Sequence, residues 1–123
     1  LKEDAEFITL PCPGLVELIE AGKKDDPETE AYLRTLLGTH LSNPPDAVVL
    51  GCTHYPFVKK QLCRLFGQKT ILFDGAEGTA RQLQKRLCEK GLLTHRETKG
   101  KIVFSGTKEE TLPLMRTLFE SLL

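Results

Sequence analysis

Apolar and polar positions along the chain fall into two rhythms, the two-residue period of strands and the three-to-four-residue period of helices. Residues 6–11 (EFITLP) are a short β-rich apolar run closed by proline, which predicts a strand. Leu15, Val16, Leu18 and Ile19 recur at helical spacing and stop at Gly22, which predicts a helix. Residues 23–27 read as a charged turn. Asp26-Pro27-Glu28 then resembles an N-cap with proline at the first helical position, and Tyr32, Leu33, Leu36 and Leu37 repeat on one face up to Gly38.

After the loop at 42–46 (SNPPD), residues 47–50 (AVVL) form the continuous apolar run expected of a strand buried on both faces. Phe57, Val58, Leu62, Leu65 and Phe66 carry a helical stripe opened by Pro56 and stopped by Gly67. Residues 70–73 (TILF) are a second buried-strand candidate ending at Asp74. The order continues with a turn at 75–78, a helix at 79–90 stopped by Gly91, a strand at 101–105 (KIVFS) and a helix at 112–123. Strands alternating with helices predict an α/β fold, a parallel sheet sandwiched by helices. No repeat, low-complexity tract or heptad pattern competes with it.

The 123 residues suffice for one ordinary domain, and 40% hydrophobic with 28% charged residues matches a globular chain with a packed core. Seventeen basic and seventeen acidic groups cancel, so no net field draws the chain to nucleic acid or to an anionic membrane. The balance hides an asymmetry, with 4 basic against 10 acidic groups in residues 1–50 and 13 against 7 in residues 51–123. The positive side chains (Lys59, Lys60, Arg64, Arg81, Lys85, Arg86, Lys90) are scattered at helical spacing without stacking aromatics, and no nucleic-acid partner is expected. Apolar runs such as 48–50 fall far short of the ~20 residues needed to span a bilayer. Residues 1–4 (LKED) lack the layout of a secretory signal, so a cytoplasmic protein with reduced thiols is expected. Leu1 at the start and a single methionine, Met115, suggest a segment of a longer polypeptide.

In parallel α/β sheets ligands gather at the carboxyl ends of strands. Three groups stand there: Cys12, the string Gly51-Cys52-Thr53-His54, and Asp74. The middle one is densest. Cys52 lies between a buried strand and a helix announced by Pro56, where free backbone N–H groups and a nearby imidazole favour a thiolate. Gly51 would let a small ligand approach the backbone, and Thr53 offers a hydroxyl and an N–H to a carboxylate. Competing readings are a buried small hydrophobe, a metal site that lacks a second closely spaced ligand pair, and a thioester-forming nucleophile that lacks a second catalytic motif. No metal is expected. His40 and His95 lie in loop-like contexts and are read as solvated. Cys63 and Cys88 fall inside helical patterns and are read as buried. Cys12, ending a strand, could face Cys52 across one pocket.

The string Val49-Leu50-Gly51-Cys52-Thr53-His54-Tyr55-Pro56-Phe57 resembles the signature around the second catalytic cysteine of bacterial glutamate racemases. Pro11-Cys12-Pro13 leading to Glu20 and Gly22, the segment 71–75 and the closing segment 104–123 follow in that family's order. Gly14 and Gly75 depart from it, standing where a bulky apolar residue and a serine are common. The resemblance implies the C-terminal half of an aspartate/glutamate racemase-like (flavodoxin-like) fold. Residues 1–74 would be the second α/β domain, carrying the second catalytic cysteine, and residues 75–123 would pack back on a first domain absent from this chain. That first domain carries an Asp-Ser pair, the other catalytic cysteine and an adjacent asparagine.

The family interconverts L- and D-glutamate without cofactor or metal, supplying D-glutamate for peptidoglycan, by two cysteines that exchange acid and base roles on opposite faces of the α-carbon. The resemblance therefore implies that Cys52 is one base, that His54 assists its proton transfer, and that Glu20 orients or tunes His54. Cys52, Thr53 and His54 would bind the substrate, with Thr53 on its carboxylate. A solvated helix-end acid is an equal reading of Glu20, and a structural histidine a reading of His54; the family does not use Cys12 as a base. It further implies glutamate and the missing N-terminal half as partners, exposed apolar surface, self-association, and no racemisation by this chain alone. The alternatives are another two-cysteine enzyme (aspartate or hydantoin racemase, maleate isomerase) and a non-catalytic interaction domain on the same fold.

Overall fold

The computed structural model describes residues 5–94, 98, 100–105 and 108–122; His95 lies outside the described residues. Seven regular elements follow one another: α1 (Leu15–Glu20), α2 (Pro27–Leu37), β1 (Ala47–Val49), α3 (Lys59–Phe66), β2 (Ile71–Phe73), α4 (Ala76–Glu89) and α5 (Leu112–Glu120). Short 3₁₀ turns at Gly38–Leu41, Tyr55–Val58 and Glu109–Thr111 precede or follow them. The class is α/β, and its two strands pair in parallel with Ala47 opposite Ile71, Val48 opposite Leu72 and Val49 opposite Phe73. Asp46 and Leu50 extend the ladder at its ends, since Ile71 N–H donates to Asp46 O at 2.9 Å and Leu50 N–H to Phe73 O at 2.8 Å.

One face of this small sheet builds the core. Val48 and Leu72 point there, with Leu50 next in the two-residue alternation, against Leu15 and Ile19 of α1, Leu33 and Leu37 of α2, and Val58, Leu62 and Phe66 around α3. Two buried polar side chains lock the turn between α1 and α2. Thr29 Oγ1 donates to Lys23 O at 2.8 Å, and Gln61 Nε2 reaches across from α3 to Lys24 O at 2.7 Å. Thr70, also buried, donates to Pro45 O at 2.8 Å and aligns the approaches to both strands. Gly22 with φ +77° and Gly67 with φ +80° take the left-handed conformation that lets the chain turn out of α1 and α3.

Several expectations are corrected. Residues 6–11 form no strand: they pair with neither β1 nor β2 and lie exposed, Phe7 at 73%. Residues 101–105 likewise carry no ladder, with Ile102 and Val103 exposed. A β-rich run becomes a strand only when a neighbour supplies its hydrogen bonds, which neither run finds among the described residues. The strands at 47–50 and 70–73 are covered on one face and not two, because Val49, Ile71 and Phe73 are 75%, 58% and 52% exposed. The turn expected at 75–78 is mostly helix, since α4 starts at Ala76 and runs through Gly78. Asp74 Oδ1 accepts the Ala76 N–H at 3.0 Å and so satisfies one of the free donors at that earlier start.

Of the segment 75–123, α4 buries none of its residues, whereas α5 lays Leu118 on the core and Leu114 beside Gly22. Ion pairs run along α4 instead, joining Arg81 to Glu77 and both Lys85 and Arg86 to Glu89.

Candidate active site

The carboxyl end of β1 delivers the dense motif. After Leu50 the chain bends through Cys52, Thr53 and His54 and enters the 3₁₀ turn Tyr55–Val58, with Pro56 in its first turn. The bend is fastened from ahead: Tyr55 N–H donates to Cys52 O at 3.3 Å and Phe57 N–H to His54 O at 3.0 Å. A Cβ at Gly51 would meet no atom within 4 Å, so space is open above the strand end. The α-helix itself starts only at Lys59, a correction to the expected start at Pro56. Its dipole acts mainly within its own first turn.

Three predicted side chains stand in line. Cys52 Sγ lies 3.9 Å from His54 Nδ1, and His54 Nε2 lies 3.1 Å from Glu20 Oε1 on the last residue of α1. Ionised, Glu20 is purely an acceptor, so the Nε2 facing it carries a hydrogen. In the neutral ring that choice leaves Nδ1 as the acceptor, turned toward the Cys52 thiol. The Thr53 hydroxyl, 3.4 Å from the same Nδ1, is its other neighbour. The arrangement can take a proton from sulfur and return it. Glu20 is 60% exposed and His54 31%, so the pair is partly solvated and worth at most about 1 kcal/mol, enough to set the ring's tautomer and direction. Packing places Glu20 there, because Ile19 beside it is wholly buried and α1 lies against the 55–58 turn.

Asp74, the third strand-end candidate, is engaged elsewhere. Lys59 Nζ sits 2.9 Å from its Oδ2, and the hydrogen bond from Lys59, helped by the Ala76 N–H, holds its carboxyl below the ordinary value of 3.8. It ties β2 to α3. Cys63 and Cys88 are both exposed, against the expectation of burial: Cys63 falls on the solvated face of α3, and α4, which carries Cys88, buries none of its residues. His40, expected in solvent, is half-buried in the 38–41 turn.

Cys12 is half-buried and donates weakly to Leu10 O at 3.4 Å. The pKa of Tyr55 is pushed up to about 12, by burial first and then by the influence of Cys12 and Cys52. Tyr32 is likewise pushed above 10.0, by burial and then by Cys12 and Glu17, while its hydroxyl donates to Pro13 O at 2.8 Å. Neither tyrosine was singled out as functional from the sequence; the only available signal was the position of Tyr55 inside the Cys-Thr-His-Tyr-Pro string.

Among the described residues no group of three or more His, Cys, Asp or Glu side chains could hold a metal ion, and no helix is long and apolar enough to cross a membrane.

No family model matches the chain. It is 40% identical over 120 residues to the glutamate racemase of Clostridium perfringens, covering 96% of this chain and 46% of that protein. The chain spans about half the length of the curated relatives it matches. Its fold superposes on a crystal structure of glutamate racemase from Thermus thermophilus in complex with beta-chloro-D-alanine, with a TM-score of 0.64 and 34% identity over 90% of this chain and 41% of that one. The Francisella tularensis glutamate racemase, solved in complex with D-glutamate, matches at TM-score 0.76 over 97% of this chain and 45% of that one; at 21% identity it speaks for the fold alone.

Proposed function

We infer that this chain, homologous to glutamate racemases along nearly its whole length, supplies one of the two proton-transfer faces of a cofactor-independent glutamate racemase. The observation that carries the reading is the line Cys52, His54, Glu20 at a strand end, in a segment 40% identical to such an enzyme. Inverting an α-carbon requires a base on one face and an acid on the other, each able to hold the proton in either direction. Cys52 is one such group. Its thiol gives a proton to Nδ1 of His54 to become the base, and recovers it to act as the acid. Glu20 keeps the imidazole in the tautomer that faces sulfur, and Thr53 presents its hydroxyl and N–H to the substrate carboxylate.

Glutamate is favoured over aspartate or hydantoin substrates by the relatives' names, and D-glutamate for peptidoglycan is the product such an enzyme supplies, in the cytoplasm. Residues 1–74 form the unit carrying Cys52. The bare sheet face and α4, in the stretch from 75 onward, are surfaces for the opposing half that bears the second thiol. Without it, copies of this chain cover the apolar surface by self-association and do not racemise.

The test is a chimera in which this chain replaces the matching 120-residue stretch of the Clostridium perfringens relative, assayed by circular dichroism for L-to-D interconversion. The chimera is expected to racemise, its Cys52→Ser variant to lose at least about 10²-fold in rate, and the isolated chain to show no turnover. A chimera that folds and binds glutamate yet leaves its configuration untouched overturns the reading.

A further inference from the structure

The two strands end side by side: Leu50, whose N–H donates to Phe73 O at 2.8 Å, leads into the Cys52 bend as Phe73 leads into Asp74. α4 therefore departs from the same end of the sheet that presents the thiol. Burial does not set its direction, since it buries none of its residues and its Leu83 is 60% exposed. Asp74 grips the junction through both carboxylate oxygens instead. Oδ1 accepts the N–H of Ala76, the first residue of α4, at 3.0 Å, and Oδ2 accepts from Nζ of Lys59, the first residue of α3, at 2.9 Å. α3 is itself seated in the core by Gln61, Leu62 and Phe66. The Asp74 side chain is 16% exposed against 42% for Lys59, so the carboxylate is enclosed and its partner closes over it from the rim. Cys88 lies twelve residues past Ala76, roughly 18 Å along the helix axis, so a swing of about 10° at the junction would move that end by about 3 Å.

We propose that Asp74 is a positioning residue for the proton transfer: by bridging the start of α4 to Lys59 it fixes the direction of α4 against α3, and with it the place of the opposing half relative to Cys52. The last step rests on the racemase reading, in which α4 is a surface for that half; the bridge and its control of α4 do not. Asp74 touches no reacting atom and acts through α4 alone. Two carbon-acid catalysts on opposite faces of one α-carbon work only at a set separation, and a misplacement of about 1 Å can cost about 10²-fold in rate. A helix that buries nothing needs such a clamp where it leaves the sheet.

The exposed thiols of Cys63 on α3 and Cys88 on α4 are natural sites for a pair of nitroxide spin labels, with Cys12 and Cys52 changed to serine. Double electron–electron resonance on the labelled chain should give one narrow distance. Asp74→Ala and Lys59→Met should broaden it by several ångström, while Lys59→Arg, which keeps a cation within reach, and Lys60→Met, which removes the exposed charge next door, should leave it narrow. Far-ultraviolet circular dichroism checks that each variant is folded; should Asp74→Ala fail to fold, Lys59→Met decides. A broad distribution in the parent chain, an unchanged one in Lys59→Met, or equal broadening in Lys60→Met overturns the proposal. In the chimera with the Clostridium perfringens relative, Lys59→Met should lower kcat at least about tenfold and move KM far less, with Lys59→Arg restoring kcat. An unchanged kcat there overturns the positioning role. A chimera that never racemises fails the racemase reading instead, and the label distances still decide the bridge.

Discussion

Truncating Ile19 to alanine tests whether the packing of α1 is what carries Glu20 to His54. Ile19 is wholly buried, and α1 is a six-residue helix whose only other buried side chain is Leu15. So short a helix has no stability of its own in water and depends on what it buries. Ile19→Ala removes three carbons, worth about 2.4 kcal/mol of transfer free energy at ~0.8 kcal/mol per methylene. If the walls stay in place, the cavity of roughly 70 Å³ adds about 1.7 kcal/mol. The loss should therefore lie between about 2.4 kcal/mol for full collapse and about 4 kcal/mol for a rigid site. Urea unfolding followed by far-ultraviolet circular dichroism reads it as a lower midpoint at unchanged slope. Should alanine prevent folding, Ile19→Val, expected to cost about 0.5–1.5 kcal/mol, keeps the comparison open. A loss below about 1 kcal/mol for alanine would refute the claim that this contact holds α1 against the core.

Two pH-dependent predictions rest on other residues. Asp74 has its carboxyl held below 3.8 by Lys59 and the Ala76 N–H, so its contribution is present above that value and fades as pH falls through the lower folded-state value. Asp74→Asn keeps an acceptor for Ala76 but loses the charge; its urea midpoint should sit below wild type at neutral pH and converge with it in strong acid, and a gap that persists there would contradict the assignment. The phenol of Tyr55 is raised from 10.0 to about 12, so its contribution is complete below pH 10 and disappears as pH rises through 12. With two tyrosines and no tryptophan in the chain, the near-ultraviolet phenolate band should titrate late, and Tyr55→Phe should remove the later step. Both phenols ionising together near 10 would show that Tyr55 is not enclosed.

Periodicity along the chain determined the helices that bury a face. The Leu15–Ile19 and Tyr32–Leu37 stripes and the 57–66 stripe each became a helical layer on the core, because burial of a repeating face is a local property of spacing. The strand-end position of Cys52 was legible in the same way, from an apolar run broken by Gly51 and followed by proline. What spacing could not decide was pairing. Among the described residues, 6–11 and 101–105 carry strand composition but find no pairing neighbour, and Val49, Ile71 and Phe73 carry core composition on an exposed face, because a sheet and its second layer are made by partners distant in sequence. Glu20 and His54 were paired by the family resemblance and not by spacing along the chain; their 3.1 Å contact across thirty-four residues exists because α1 packs against the 55–58 turn. The exposure of Cys63 was likewise settled by which side of α3 found something to bury against, and that of Cys88 by α4 burying none of its residues.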